Sequence, residues 1–277
     1  EFIQVYGLNH LAPSLEALKE ITILFTGEFA VRPFIKKYPQ KTLAFLKACA
    51  KSDNAHVRRW ASEGSRPRLP WGERLDLVIQ NPTLTLEILE LLKHDPELYV
   101  RKSVANHLND ISKDNPKVAI ETLKRWSKAS RGQDQNIAWI TRHALRTLIK
   151  KGDPAALALI GIKRDIKISV KKLKTDRASY RIGDKLEFSF EIVSTHTKPQ
   201  DLVIDYIVHY VKSNGATSPK VFKFKTLTLK PDERVALRKV HHLKQVTTRR
   251  HYSGKHTIEI QINGLSQGKT HWPLKAD

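Results

Sequence analysis

A chain of 277 residues is long enough for about two cores, and its 49 Lys and Arg against 28 Asp and Glu leave a formal net charge of +21, which favours a polyanionic partner. The single cysteine, Cys49, excludes an intrachain disulfide framework and a multi-cysteine zinc site. No apolar run approaches the roughly 18 to 20 residues that cross a bilayer, so a cytoplasmic setting with no membrane association is expected, and a chain without methionine that opens on Glu1 is expected to be truncated at its N-terminus.

The first half is patterned for helices. Leu15, Leu18, Ile21, Leu24 and Phe25 recur at helical spacing, with Ser14 the expected N-cap. Residues 25–34 then read FTGEFAVRPF, an acid, Glu28, set between aromatics. It reads either as a reactive carboxylate or as a first-turn acid behind Thr26 complementing a helix dipole. After an apolar face over 42–50, residues 56–71 read HVRRWASEGSRPRLPW. Arg58, Arg59, Arg66 and Arg68 are suited to bidentate phosphate contact, Trp60 and Trp71 offer flat apolar faces, and Glu63 is the lone acid among them. An adjacent carboxylate could stabilise positive charge developing on a sugar or orient water; the structural alternative is that Glu63 simply pairs with Arg59.

Further apolar faces follow at Leu84 to Leu92, Val100 to Ile111, Val118 to Trp126 and Ile137 to Leu148, with Gly152 and Pro154 ahead of a short closing helix over 155–160. A repeat runs through them. Asp53-x3-Val57-Arg58-x2-Ala61, Asp95-x4-Val100-Arg101-x3-Ala105 and Asn136-x4-Thr141-Arg142-x-Ala144 place successive arginines 43 and 41 positions apart. That period is typical of HEAT-like helix pairs, which stack into a solenoid with a concave face. Arg101 and Arg142 read equally well as ion-pair partners inside the stack and as DNA contacts.

After Lys163 the chain turns to short β-branched and aromatic runs, such as 185–192 and 202–211, separated by Gly, Asn-Gly and Pro-Asp turns. About seven such strands fit an immunoglobulin-like β-sandwich without cysteines. The expected fold is therefore multidomain α and β: an α-α superhelix of HEAT-like repeats over 1–163, then the sandwich over 164–277. Both are basic, with 26 Lys and Arg against 17 Asp and Glu in the first and 23 against 11 in the second. Lys244, Arg249 and Arg250, with His251 and Lys255, are the densest basic cluster of the sandwich, either a DNA contact or a solvated face. His241, His242, His251 and His256 lack carboxylate or thiol neighbours at metal-ligand spacing and are expected on the solvated surface.

No phosphate-cradling Gly-rich loop, metal-ligand pair or recognisable Ser/His/Asp arrangement occurs. The two segments 25–34 and 57–71, together with the β-rich half, resemble the AlkC branch of the AlkC/AlkD HEAT-like-repeat DNA alkylation-repair glycosylases, in the subgroup with a C-terminal immunoglobulin-like domain. The resemblance covers essentially the whole chain. It implies a monofunctional glycosylase of base excision repair that removes cationic N-alkylated bases, 3-methyladenine and 3-methylcytosine, from double-stranded DNA without flipping the base. It also implies a monomer with no cofactor and no metal, Glu28 and Glu63 stabilising the sugar cation and positioning water, and Trp71 against the deoxyribose. Arg58, Arg59, Arg66 and Arg68 would clamp phosphates or orient the glutamates. The competing reading is a non-catalytic HEAT-repeat adaptor for nucleic acid or protein, which gains nothing from two acids in a phosphate-binding face.

Overall fold

The computed structural model describes residues 2–245 and 250–275; the chain divides into two compact units, Glu1–Leu148 and Ile149–Asp277. The first unit is helical: α1 (Phe2–Tyr6), α2 (Leu11–Leu24), α3 (Arg32–Lys37), α4 (Pro39–Cys49), α5 (Ala55–Gly64), α6 (Asp76–Gln80), α7 (Thr83–Leu92), α8 (Leu98–Asp114), α9 (Pro116–Ala129) and α10 (Gln135–Ala144), with α11 (Arg146–Lys150) at the division. Local chemistry sets several of the helix starts. Asn54 Oδ1 accepts from the backbone N–H of His56 (2.9 Å) and Val57 (3.3 Å), and Asp134 Oδ1 does the same for Asn136 and Ile137 at the start of α10, satisfying donors that a helix start leaves open. Pro39 and Pro116 open α4 and α9, where a missing N–H costs nothing.

Ser14 is not the cap of α2. The helix begins three residues earlier, at Leu11, and Ser14 lies inside it, its hydroxyl donating to the Gly7 carbonyl at 2.8 Å. Pro13 does not delay the start, because the first-turn N–H groups have no intrahelical acceptor to lose.

Helices α2, α5, α8 and α10 form one row, each packed on the next, while α4 covers α5 and both α7 and α9 lie against α8. The small residue of each sequence repeat, Ala61, Ala105 and Ala144, is fully buried, and in this row it allows close approach of neighbouring helices. Val57 and Trp60, Val100 and Val104, and Ile137 and Ile140 fill the same faces, each worth roughly 1.5–3 kcal/mol of burial. Helix α8 has neighbours on both sides of the row, so Ser103, His107, Asn109, Asp110 and Ser112 are buried with it. Such groups need partners: Ser103, His107, Asn109 and Asp110 find them one repeat away, while Ser112 donates to the Asn109 carbonyl of its own helix.

Among the described residues the second unit holds α12 (Pro154–Leu159) and eight strands: β1 (Ile168–Thr175), β2 (Tyr180–Arg181), β3 (Lys185–Ser194), β4 (Gln200–Val211), β5 (Thr217–Leu229), β6 (Arg234–His242), β7 (Gly254–Ile262) and β8 (Leu265–Lys275). They form a three-stranded sheet, β1-β3-β6, and a five-stranded sheet, β2-β8-β7-β4-β5, antiparallel throughout except β2 with β8. Strand alternation turns Leu186, Phe188, Phe190 and Ile192 of β3 inward against Ile204, Tyr206, Val208, Ile258, Ile260 and Trp272. Ahead of α12, Gly152 (φ +71°) meets Gly264 (φ +78°) backbone to backbone, where a Cβ on either would come within 2.5 Å of the other. The Gln261 and Asn263 side chains bond the Lys150 and Lys163 carbonyls from the same β7–β8 corner. No helix among the described residues is long and apolar enough to cross a membrane.

Three of the histidines expected on the surface are buried: His241, His251 and His256. His241 falls on the inward register of β6, four residues after Leu237, and its ring nitrogens meet the Tyr206 and Tyr210 hydroxyls at 3.1 and 2.8 Å. His256 stacks on Trp272 with ring centroids 4.6 Å apart. Tyrosine hydroxyls and aromatic faces supply the partners that no nearby carboxylate or thiol offers.

Candidate functional site

Two loops and three helices of the first unit, α3, α5 and α8, build one cluster. The chain leaving α5 runs through residues 65–75 and is anchored to α3: Arg32, buried, donates from Nη1 to the Gly64 and Arg66 carbonyls (2.9 Å each) and from Nε to the Glu73 carbonyl (2.8 Å). Burial pushes its pKa down to about 10, so it keeps its charge at neutral pH. Lys36 reinforces the anchor through the Glu73 carboxylate at 2.5 Å. Gly72 packs against Phe29, Leu69 and Arg32, with 3.2–3.4 Å from a Cβ position to each. At the tip, Trp71 adopts φ +62° and its indole is 99% exposed. An aromatic residue in the left-handed region is costly, and here it presents a bare ring to solvent.

Glu28, in the loop between α2 and α3, and Glu63, on the last turn of α5, are 8% and 6% exposed. They converge on one atom: Arg59 Nη2 lies 3.6 Å from Glu28 Oε1 and 3.6 Å from Glu63 Oε1. The Arg59 guanidinium also rests 4.9 Å from the centre of the Tyr99 ring, a cation–π contact. The two acids are held differently. Arg66 Nη1 donates to Glu63 Oε1 at 2.6 Å and the Ser103 hydroxyl to Glu63 Oε2 at 2.6 Å, whereas Glu28 Oε2 is buried with no hydrogen-bond partner among the described residues. Beside Arg59, a cleft of about 310 Å³ is lined by His56, Tyr99, Thr26 and the end of α2.

Behind Glu63 the seam between α5 and α8 is polar and closed. Arg66 also donates from Nε to Asp110 Oδ2 at 2.8 Å, and Lys113 reaches Asp110 Oδ1 at 2.8 Å. Burial pushes the His107 pKa down to about 3, so the ring is neutral. Its Nδ1–H donates to the Ser62 carbonyl (3.0 Å), leaving Nε2 to accept from the Thr85 hydroxyl (3.0 Å); a carbonyl cannot donate, which settles the tautomer.

The other residues singled out in the sequence separate into held and free. Arg58 grips Asp95 with two nitrogens (2.6 and 3.1 Å) and donates to the Ser52 and Asp53 carbonyls. Arg101, one repeat on, donates to the Asp95 and Pro96 carbonyls at 2.6 and 2.7 Å; both tie a helix to the turn that precedes it. Arg68 forms a fork with Asp114, two bonds of 2.6 Å, and remains partly exposed. Trp60 is core, edge-on to Phe45 at 6.4 Å. Arg142, Lys244 and Arg250 are exposed, while Arg249 lies outside the described residues.

Sequence reading missed Arg32, Tyr99, Ser103, His107 and Asp110. Their signal was the repeat itself. Equivalent positions on adjacent helices of a solenoid row stand side by side, and the contacts Glu63–Ser103, Ser62–His107 and Arg66–Asp110 join residues 40, 45 and 44 apart, close to the spacing of the arginines.

Residues 24–148 match the family described as DNA alkylation repair enzyme, and residues 169–276 match the family described as the C-terminal Ig-like domain of the uncharacterised protein YhaZ. The chain is 42% identical to YhaZ of Bacillus subtilis (strain 168) over 264 residues, 95% of this chain and 72% of that protein. It superimposes with a TM-score of 0.95 and 42% identity on the Pseudomonas fluorescens alkylpurine DNA glycosylase AlkC bound to DNA containing an abasic site analogue, covering 99% of this chain and 76% of that one. A helical unit matched along its length, an Ig-like unit behind it and a likeness extending over both place this chain in the AlkC branch of the DNA alkylation repair enzyme family.

Proposed function

We propose that the chain is a DNA glycosylase that hydrolyses the N-glycosidic bond of cationic N-alkylated bases, 3-methyladenine and 3-methylcytosine, in double-stranded DNA, acting as a cytoplasmic monomer without cofactor. The observation that carries this reading is the convergence of Glu28 and Glu63 on Arg59, on a face whose neighbouring loop offers the bare Trp71 ring. A cationic base is already a good leaving group and takes the bonding electron pair without being protonated. What remains is the sugar, whose anomeric carbon gains positive charge as that bond lengthens. Two carboxylates fixed beside it stabilise that charge and steer a water, whose oxygen bonds to the carbon and whose proton passes to a carboxylate or solvent. Trp71 packs on the deoxyribose, which keeps the lesion in the stack. Arg142, which is exposed, and Arg59 and Arg68, which would share their carboxylate partners Glu28, Glu63 and Asp114 with a phosphate, are the phosphate candidates of the helical unit; Arg58, Arg66 and Arg101 hold the turns and Glu63.

The test is release of free 3-methyladenine from methylated duplex. The unaltered chain should release it well above the uncatalysed rate, and Glu28→Gln and Glu63→Gln should each lose about a hundredfold or more. Binding of the duplex without release would make the chain the adaptor that its arginines alone could serve.

A further inference from the structure

Glu63 is immobilised in a way that Glu28 is not, and the residue responsible on the α8 side is Ser103. Its hydroxyl carries one proton and has two oxygens in reach, Glu63 Oε2 at 2.6 Å and Ser62 Oγ at 3.0 Å. The shorter bond to the carboxylate claims that proton, as charge-assisted bonds do. The Ser62 hydroxyl must then donate to Ser103 Oγ, while the neutral His107 ring holds the Ser62 carbonyl one peptide away. Ser62, Ser103 and His107 are all buried, so bulk water does not compete for these bonds.

With Arg66 on one carboxylate oxygen and Ser103 on the other, the Glu63 plane is set from two different elements. We propose that Ser103, backed by Ser62, is a positioning residue that fixes the Glu63 carboxylate for the developing sugar cation. It touches neither DNA nor base in this role, which rests on the glycosylase reading above. Electrostatic catalysis depends on groups that need no reorganisation as the charge appears, and a carboxylate held at one oxygen alone can turn about that oxygen.

The experiment compares single-turnover excision of 3-methyladenine with affinity for a duplex carrying an abasic-site analogue. Ser103→Ala should slow excision about 10- to 100-fold, the value of a hydrogen bond to a charged group, and leave affinity within about twofold. Ser103→Thr, which restores the hydroxyl, should recover most of the rate. Undiminished excision by Ser103→Ala overturns the proposal, as does a parallel loss of rate and affinity that Ser103→Thr does not mend, since that marks a packing role. Should Ser103→Ala fail to fold, Ser62→Ala takes its place, with a several-fold slower rate at unchanged affinity expected and an unchanged rate counting against the proposal. An unaltered chain that releases no base refutes the glycosylase reading and this role with it; an active chain indifferent to Ser103 refutes this role alone.

Discussion

At the scale of single residues, two members of the segment 56–71 do opposite things. Arg66 is 6% exposed and stands between two buried carboxylates, Glu63 and Asp110. Removing it leaves both acids short of a partner, and Arg66→Ala should lower unfolding free energy in a urea titration by about 3 kcal/mol, the lower end for a broken buried pair, because Lys113 and Ser103 each retain a contact. Trp71 has the reverse profile. Its indole touches almost nothing and its backbone is strained, so Trp71→Ala should shift stability by no more than about 0.5 kcal/mol while weakening binding to abasic duplex. Since Trp60, Trp126 and Trp272 are buried and Trp139 is half-buried and stacked on His143, duplex that covers Trp71 should change the tryptophan fluorescence, and the Trp71→Ala chain should show a smaller change. An equal DNA-induced change in both would place Trp71 away from the duplex.

At the scale of elements, helices and strands were legible because their periods are local: 3.6 for the faces of α7, α8 and α9, and 2 for β3. The start of α2 was not, since a serine ahead of an apolar run looks the same at a cap as inside a first turn. Nor were the buried histidines, whose partners come from β4 and β8. One element carries a penalty of its own. Asp205 of β4 is 4% exposed, and burial raises its pKa to about 6 in spite of Lys150 and Lys223. The folded chain therefore keeps a proton that the unfolded chain has released, and stability falls as pH rises from about 4 through 6. Asp205→Asn has no such ionisation. Its unfolding free energy relative to the parent should rise across that window to a plateau of about 2–3 kcal/mol above it; a difference independent of pH would show that Asp205 does not titrate there.

At the scale of the whole molecule, charge is the property both units share. The sandwich carries an excess of 12 positive charges over residues 164–277, and two of its densest candidates, Lys244 and Arg250, are exposed. If they meet phosphates, each releases about one counterion on binding. Replacing both with Gln should then reduce the slope of log affinity against log salt by up to about 1.8. An unchanged slope would make that face a solvated surface. The helical unit offers the complementary case, since Arg58 and Arg101 are already bonded to Asp95 and neighbouring carbonyls and their removal should cost stability before it costs salt dependence.

Composition, charge and hydrophobic period by themselves determined a basic chain, a helical repeat followed by a strand-rich half, and a short segment dense in arginine, tryptophan and acid. Those properties are additive along the chain or depend on residues a few positions apart, so one sequence suffices to read them. Only the tertiary structure decided which arginines are occupied and which are free, that Glu28 and Glu63 share one guanidinium, and that Ser103 holds Glu63. These depend on side chains from loops and helices about 30 to 45 residues apart meeting within ion-pair or hydrogen-bond reach, and hydrogen bonds and ion pairs switch on or off over about an ångström. The repeat period brings the right helices together; their packing settles which atoms touch.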